Sequence, residues 1–214
     1  MPSVFDRRVV PEPVLELVKS CQNRVPCHLG GGAALAGVHL GHRLSRDIDL
    51  VCHDPEDVRT LERGLPAIGA ELGLDIRLVR DAGTFVRALV GNGLEIDALY
   101  EGTPDLEAPD AVEGVQIESL ADLRAAKLTC ILSRSEPRDL VDLLFLDRLG
   151  YPPERDLPLA LRKDAGIDPG ILAWLLGQFP LRPLPEMLKP ITERELAEFR
   201  DDLRERLRRV ATGE

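Results

Sequence analysis

The chain has 214 residues, 44% hydrophobic and 4% aromatic, which allows one large or two small domains with an aliphatic core. Its formal net charge of −10 argues against a protein that coats nucleic acid non-specifically. No apolar run is long enough to cross a bilayer and the N-terminal stretch lacks a signal-peptide pattern, so we expect a cytoplasmic protein.

Hydrophobic periodicity predicts an α/β first half. The patterns indicate helices over residues 11–24, 31–40 and 55–72, and strands over residues 26–29, 47–52, 74–79, 84–90, 94–100 and 115–117. The Gly91-Asn92-Gly93 turn between the strands over 84–90 and 94–100 is typical of a β-hairpin.

The second half of the chain is predicted to be helical. Helices are expected over residues 120–132, 137–149 and 192–210, and Thr192 with Glu195 fits a capping box at the start of the last one. The proline-rich segment over residues 179–190 predicts an extended strap. The change from mixed helix and strand patterns to helix patterns alone falls near Glu118.

Two aspartates with one residue between them lie on the strand predicted over residues 47–52. Because side chains alternate along a strand, Asp47 and Asp49 project to the same face, roughly 6–7 Å apart, while Ile48 and Leu50 can be buried. Their repulsion at contact range is about 4 kcal/mol near a protein surface. A divalent cation such as Mg²⁺ relieves it, although acidic strand faces are also common without a metal.

A third acid is expected on the strand over residues 94–100. If this strand neighbours the one over residues 47–52, Asp97 faces Asp47 and Asp49 across about 5 Å. Glu95 shares that face and is the alternative third acid.

A glycine turn precedes the helix predicted over residues 31–40. Gly31 and Gly32 would let backbone N–H groups approach a phosphate, whose negative charge a helix N-terminus favours. The alternative is that these glycines satisfy only the sterics of a tight turn.

Charged residues on the two helices after residue 118 form a further candidate group. Lys127 falls in the middle of an apolar helical stripe, so its ammonium either snorkels outward or reaches into a polar site and binds a triphosphate. Asp139 and Asp142 share one side of the next helix. They either complement the helix dipole, with an Arg138–Asp142 pair, or orient Lys127 and Arg134 over a pocket.

The chain contains four cysteines and no CxxC pair. The doublets Cys27-His28 and Cys52-His53 each lie at a predicted strand end and are candidate zinc ligands. The alternative is a set of buried free thiols in a reducing compartment.

Three motifs in this order resemble those of AbiEii/AbiGii-type nucleotidyltransferases. They are LGGGAAL over residues 29–35, HRLSRDIDL over residues 42–50, and Lys127 with Arg134, Arg138, Asp139 and Asp142. This family is similar to the DNA polymerase β-like minimal nucleotidyltransferases and includes toxins of abortive-infection toxin–antitoxin systems. The resemblance covers roughly residues 25–150. It implies a mixed β-sheet flanked by helices over residues 1–117 and a small helical domain over residues 118–214 that completes the active-site cleft.

The resemblance also implies an activity, the Mg²⁺-dependent transfer of a nucleoside monophosphate from an NTP to an acceptor hydroxyl. Its implied metal ligands, for two Mg²⁺ ions, are Asp47, Asp49 and Asp97, and Asp97 is also a candidate acceptor of the hydroxyl proton. The implied catalytic set adds Lys127, Asp139 and Asp142, and the implied nucleotide-binding set is Gly31, Gly32, Arg43, Ser45, Lys127 and Arg134. One departure is Gly32, because a serine is common at this position in the wider superfamily.

The acceptor and the partners stay open. Candidate acceptors are an RNA or tRNA 3′ end, a protein hydroxyl, or a small molecule such as an aminoglycoside, and a cognate antitoxin is a candidate partner. One alternative is a non-catalytic module that binds a nucleotide or a partner on the same fold. Another is an interaction protein that uses the apolar stripe of the helix over residues 192–210 as a docking face.

Overall fold

The computed structural model describes residues 4–91 and 93–214, so residues 1–3 of the N-terminal stretch and Asn92 of the predicted turn lie outside the described residues. The chain divides into two compact units, of which the first ends at Ser119 and the second is Leu120–Glu214. In the described residues, the α/β class is confirmed by one seven-stranded mixed sheet and eight α-helices.

The first unit contains every strand of the described residues. Its helices are α1 (Glu12–Gln22), α2 (Gly31–Ala34) with a π-helical continuation (Leu35–Leu40), and α3 (Pro55–Leu72). Its strands are β1 (His28–Gly30), β2 (Asp47–Cys52), β3 (Ile76–Asp81), β4 (Phe85–Val90), β5 (Leu94–Tyr100), β6 (Asp110–Val112) and β7 (Val115–Ile117). The three-residue β6 is an addition to the predicted strands, since it is too short to show an alternating pattern.

The sheet has the order β3-β4-β5-β2-β1-β7-β6, so β2 lies next to β5. These two strands are parallel, whereas β1 is antiparallel to β2 and β4 is antiparallel to β5. Ile48, Leu50 and Ile96 are buried on the core side. The alternation of the two strands therefore leaves their acidic residues together on the opposite face.

The helix predicted over residues 31–40 is present as one continuous segment with two types of helical hydrogen bonding. It starts as α-helix at Gly31 and continues with π-helical hydrogen bonding, such as Gly41 N–H to the Ala36 carbonyl. Inside this part the Gly37 carbonyl accepts a hydrogen bond from Asp6 N–H at 2.7 Å. A donor from outside the helix is a recognised cause of a local change in the helical ladder.

The second unit is helical, as expected. It contains α4 (Leu120–Ser133), α5 (Pro137–Arg148), a 3₁₀ turn (Pro153–Asp156), α6 (Leu157–Lys163), α7 (Pro169–Leu176) and α8 (Glu193–Thr212). The short α6 and α7 were not predicted, because seven or eight residues carry too little periodicity. The strap over residues 179–190 is irregular, as predicted.

Helix α8 begins with the predicted capping box. Thr192 Oγ1 accepts from Glu195 N–H at 3.2 Å, and Glu195 Oε2 accepts from Thr192 N–H at 2.8 Å. Its apolar stripe is buried within the second unit against α5 and α7, with the exception of Val210, which is 46% exposed. The prediction that this stripe is a docking face is therefore wrong, because the stripe forms the core of its own unit.

None of the helices in the described residues combines the length and the apolar composition that crossing a membrane requires.

Candidate active site

Four carboxylates line one face of the β2–β5 pair. Asp49 is in register with Asp97, and Asp47 is in register with Glu95. Neighbouring strands lie about 5 Å apart, so the expected juxtaposition of these acids is present. Asp47 and Asp49 are half-buried and Asp97 is 5% exposed. We call these four residues the acid face.

Arg87 on β4 pairs with the acid face. It is in register with Asp97, and its Nε and Nη2 donate to Asp97 Oδ1 and Oδ2 at 2.7 and 2.6 Å. Its Nη1 lies 2.9 Å from Glu95 Oε2. The hydrogen bonds to Asp97 raise the pKa of Arg87 above its ordinary value, so the guanidinium stays charged.

Sequence reasoning missed Arg87, although a signal was present. Once the strands over residues 84–90 and 94–100 are assigned to one hairpin, cross-strand pairing places an arginine opposite an aspartate. The consequence is that both candidate third acids, Asp97 and Glu95, already have a positive partner.

The glycine turn packs directly against the acid face. Gly31 has φ of +59°, and a Cβ placed on it would overlap the Asp49 carboxylate. A Cβ on Gly30 would likewise overlap the carboxylate of Glu118, a buried acid that sequence reasoning also missed. Glycine is therefore needed at residue 31 for both backbone conformation and close approach.

Arg43 and Ser45 lie beside Gly32, the second residue of the helix that follows the turn. A Cβ on Gly32 would stand 2.7 Å from Arg43 Nη2 and 2.9 Å from Ser45 Oγ. Arg43 is 2% exposed and its Nη1 donates to the Leu44 carbonyl at 2.9 Å. Ser45 Oγ donates to the Asp47 carbonyl at 3.3 Å. The structure thus brings together most of the residues predicted around the glycine turn.

The predicted lysine and aspartates meet within the second unit. Lys127 Nζ lies 3.0 Å from Asp139 Oδ1 and 2.8 Å from Asp142 Oδ2. Arg134 donates to the two oxygens of Asp139 from Nε at 2.9 Å and from Nη2 at 3.0 Å. Arg138, predicted as a partner of Asp142, has its Nε 2.6 Å from Glu136 Oε2.

This lysine–aspartate network is almost fully buried. Both aspartate side chains have 0% exposure and the Lys127 side chain has 4%, so the ammonium does not snorkel to the surface. Burial by itself raises the pKa of Asp139, but the nearby Lys127 and Arg134 hold it below its ordinary value. The two aspartates therefore hold Lys127, and Asp139 also holds Arg134. That these basic groups lie over a pocket stays a prediction.

The two Cys-His doublets separate into thiols and imidazoles with different surroundings. Cys27 and Cys52 are buried free thiols, as the alternative interpretation expects. A hydrogen bond with Cys52 and burial raise the pKa of Cys27 above its ordinary value. The imidazoles of His28 and His53 lie instead near Asp105.

Comparison with known proteins gives a family and several structural neighbours. The family model described as nucleotidyl transferase AbiEii toxin, type IV toxin–antitoxin system, matches residues 21–213. No curated protein matches the chain.

Among solved structures, an H. pylori protein assigned as a nucleotidyltransferase has a TM-score of 0.59, 23% identity and coverage of 94% of both chains. JHP933 from Helicobacter pylori has a TM-score of 0.58, 22% identity and coverage of 95% of this chain and 92% of its own. MenT4, the nucleotidyltransferase toxin Rv2826c from Mycobacterium tuberculosis H37Rv, has a TM-score of 0.55, 17% identity and coverage of 94% and 86%. At these identities the three structures show a shared fold.

Proposed function

The chain belongs to the AbiEii nucleotidyltransferase toxin family, and from this premise we propose that it transfers a nucleoside monophosphate from an NTP to an acceptor hydroxyl in a Mg²⁺-dependent reaction. The observation that carries the proposal is the contact between the glycine turn and the acid face. Gly31 lies against the Asp49 carboxylate, which in turn is in register with Asp97. The turn that we propose to bind phosphate is thus adjacent to the carboxylates that we propose to bind metal.

The acid face has the donor chemistry that Mg²⁺ prefers. Asp47, Asp49 and Asp97 would hold the metal, with Glu95 as the alternative third ligand, and all four offer carboxylate oxygens. When bound, the metal supplies positive charge for the triphosphate and lowers the pKa of the attacking hydroxyl.

The glycine turn and its neighbours are proposed to bind the phosphates. The backbone N–H groups of Gly31 and Gly32 open a helix, where negative charge is favoured. Arg43 adds a permanent positive charge beside Gly32. The Ser45 hydroxyl lies 2.9 Å from the position that a Cβ on residue 32 would take, so we propose that it replaces the hydroxyl of the serine that is common there.

The lysine–aspartate network of the second unit is proposed to be required for transfer. Asp139 and Asp142 fix the Lys127 ammonium at 3.0 and 2.8 Å, and Arg134 is held by Asp139. The Arg134 side chain is 40% exposed and already held by Asp139, so it would lose less conformational entropy when it engages a phosphate.

The acceptor is proposed by class alone. An RNA or tRNA 3′ end, a protein hydroxyl and a small molecule each offer a hydroxyl that can attack the α-phosphate. Membership of a toxin family supports a cognate antitoxin as the protein partner.

A second candidate function is nucleotide or partner binding without catalysis. The observation in its favour is the pairing of Arg87 with both Asp97 and Glu95. If this arginine stays in place, it supplies part of the positive charge that a metal otherwise brings.

The first prediction tests transfer directly. We expect the full chain, incubated with each α-³²P NTP, Mg²⁺ and total RNA or cell lysate, to label one acceptor fraction. Asp49→Asn should lower labelling by at least about 100-fold, since it removes a charged metal ligand. Asp75→Asn, the same chemical change at an exposed position of the first unit, should keep wild-type labelling.

Two results would contradict the proposal. Equal labelling by wild type and Asp49→Asn would separate the activity from the acid face. Absence of label from wild type with every NTP, together with Mg²⁺-independent nucleotide binding by isothermal titration that Asp49→Asn leaves intact, would establish the binding module instead.

A further inference from the structure

A second group of metal-ligating side chains lies at the opposite end of β2 from Asp47. His28 is the first residue of β1, His53 follows the end of β2, and Asp105 belongs to the connection between β5 and β6. One ligand atom from each of the three lies within 4.8 Å of the other two. We call these three residues the His–Asp cluster.

The hydrogen bonds of His53 determine which of its nitrogens can act as a ligand. His53 Nδ1 lies 2.9 Å from the Glu101 carbonyl oxygen, which only accepts, so Nδ1 carries a proton and donates it. In a neutral ring Nε2 then carries a lone pair and no proton, and it lies 2.9 Å from Asp105 Oδ1. Two acceptors at this distance repel each other unless a positive charge lies between them.

The positive charge is either a proton on Nε2 or a metal ion. A backbone carbonyl that accepts from the far nitrogen of a histidine is the usual outer-shell arrangement of a metal-bound imidazole. The hydrogen bond from His53 Nδ1 to the Glu101 carbonyl is of this kind and leaves Nε2 to bind an ion. His28 Nδ1 lies 3.7 Å from Asp105 Oδ2. Two ligand atoms that each lie about 2.0–2.2 Å from a tetrahedral Zn²⁺ are about 3.3–3.5 Å apart. This separation lies between the 2.9 Å from His53 Nε2 to Asp105 Oδ1 and the 3.7 Å from His28 Nδ1 to Asp105 Oδ2.

The accessibility of the cluster also suits an ion. The side chains of His28, His53 and Asp105 are 17%, 34% and 23% exposed, so solvent reaches the group and can complete the coordination sphere. Two imidazoles and one carboxylate favour Zn²⁺ or a similar first-row divalent metal, whereas the oxygen-only acid face favours Mg²⁺.

We propose that His28, His53 and Asp105 bind one Zn²⁺ or similar transition-metal ion, separate from any Mg²⁺ at the acid face. The ion joins the start of β1, the end of β2 and the segment over residues 101–109. Its role is to fix that segment to the edge of the two strands. No step of nucleotidyl transfer depends on it, so the proposal stands or falls independently of the proposed function.

The second prediction tests zinc binding by the full chain without a polyhistidine tag. Isothermal titration with Zn²⁺ alone, in the presence of excess Mg²⁺, should give one site per chain, and Zn²⁺ should raise the melting temperature. His53→Ala and Asp105→Asn should each weaken Zn²⁺ binding at least about 10-fold. Co²⁺ in place of Zn²⁺ should give visible absorption bands in wild type that both variants lose.

Two control variants separate this site from other carboxylates. Glu107→Gln removes an exposed carboxylate from the same segment, and Asp49→Asn removes one from the acid face; both should bind Zn²⁺ as wild type does. If a substituted cluster residue unfolds the chain, circular dichroism will show it, and His28→Ala then takes its place. Wild-type Zn²⁺ affinity in well-folded His53→Ala and Asp105→Asn, or no binding by wild type, would overturn the proposal and leave an imidazolium–carboxylate hydrogen bond.

Discussion

At the scale of single residues, Gly31 carries two requirements at once. Its φ of +59° is unfavourable for residues with a side chain, and the Asp49 carboxylate fills the space that a Cβ would take. The sequence indicated a glycine turn and an aspartate pair separately. Only the antiparallel register of β1 and β2, which sets Gly30 opposite Asp49, brings them into contact.

The third prediction compares two glycines with the same sign of φ. Gly83 has φ of +76° and open space around it, so Gly83→Ala should lose only about 1–2 kcal/mol of unfolding free energy from backbone strain. Gly31→Ala should lose more, because Asp49 must also move, and transfer activity should fall. Urea unfolding of both variants checks this, and equal losses would show that the contact with Asp49 is unimportant.

At the scale of elements, α8 shows how an amphipathic pattern is used. The sequence predicted both the helix and its stripe, and its start is fixed locally by Thr192 and Glu195. A stripe by itself does not say which surface covers it. The packing of α8 on α5 and α7 decides that it belongs to the core of the second unit.

The fourth prediction compares two positions of that stripe. Leu203 is fully buried, so Leu203→Ala should lower the unfolding free energy by about 2–5 kcal/mol. Val210 is 46% exposed, and Val210→Ala should cost less than about 0.5 kcal/mol. Urea unfolding followed by circular dichroism measures both. Similar small effects would indicate that the stripe is free for a partner after all.

At the scale of the whole molecule, buried ion pairs make stability depend on pH. The pKa of Asp139 is lower in the folded chain than its ordinary value, because Lys127 and Arg134 outweigh the effect of burial. Its contribution to stability is therefore complete above the unfolded pKa of about 3.9 and is lost as the pH falls through the folded pKa.

The fifth prediction follows from this sign. Wild type should lose unfolding free energy as the pH falls below about 4, whereas Asp139→Asn should be less stable by about 3–5 kcal/mol at neutral pH and lose less on acidification. Asp201→Asn, at an exposed position on α8, should follow the wild-type pH dependence. Urea unfolding at a series of pH values gives the slopes, and a wild-type slope in Asp139→Asn would contradict the assignment.

The sequence by itself determined the longer elements and the chemistry they carry. Local propensity and alternation were enough for β2, α3 and β5, whose bounds were predicted to the residue, and for the aspartates on one face of β2. These features depend on neighbours along the chain, so a one-dimensional pattern contains them.

The tertiary structure alone decided which of these groups meet. Pairing within a hairpin brought Arg87 to Asp97, and the packing of turns and connections on the sheet brought Gly31 to Asp49, and His28 to His53 and Asp105. The contact of Gly31 with Asp49 and the His–Asp cluster join separate elements, and they depend on the packing of the whole sheet. That is why the His–Asp cluster became visible only in three dimensions, whereas Arg87 could have been found from the predicted hairpin.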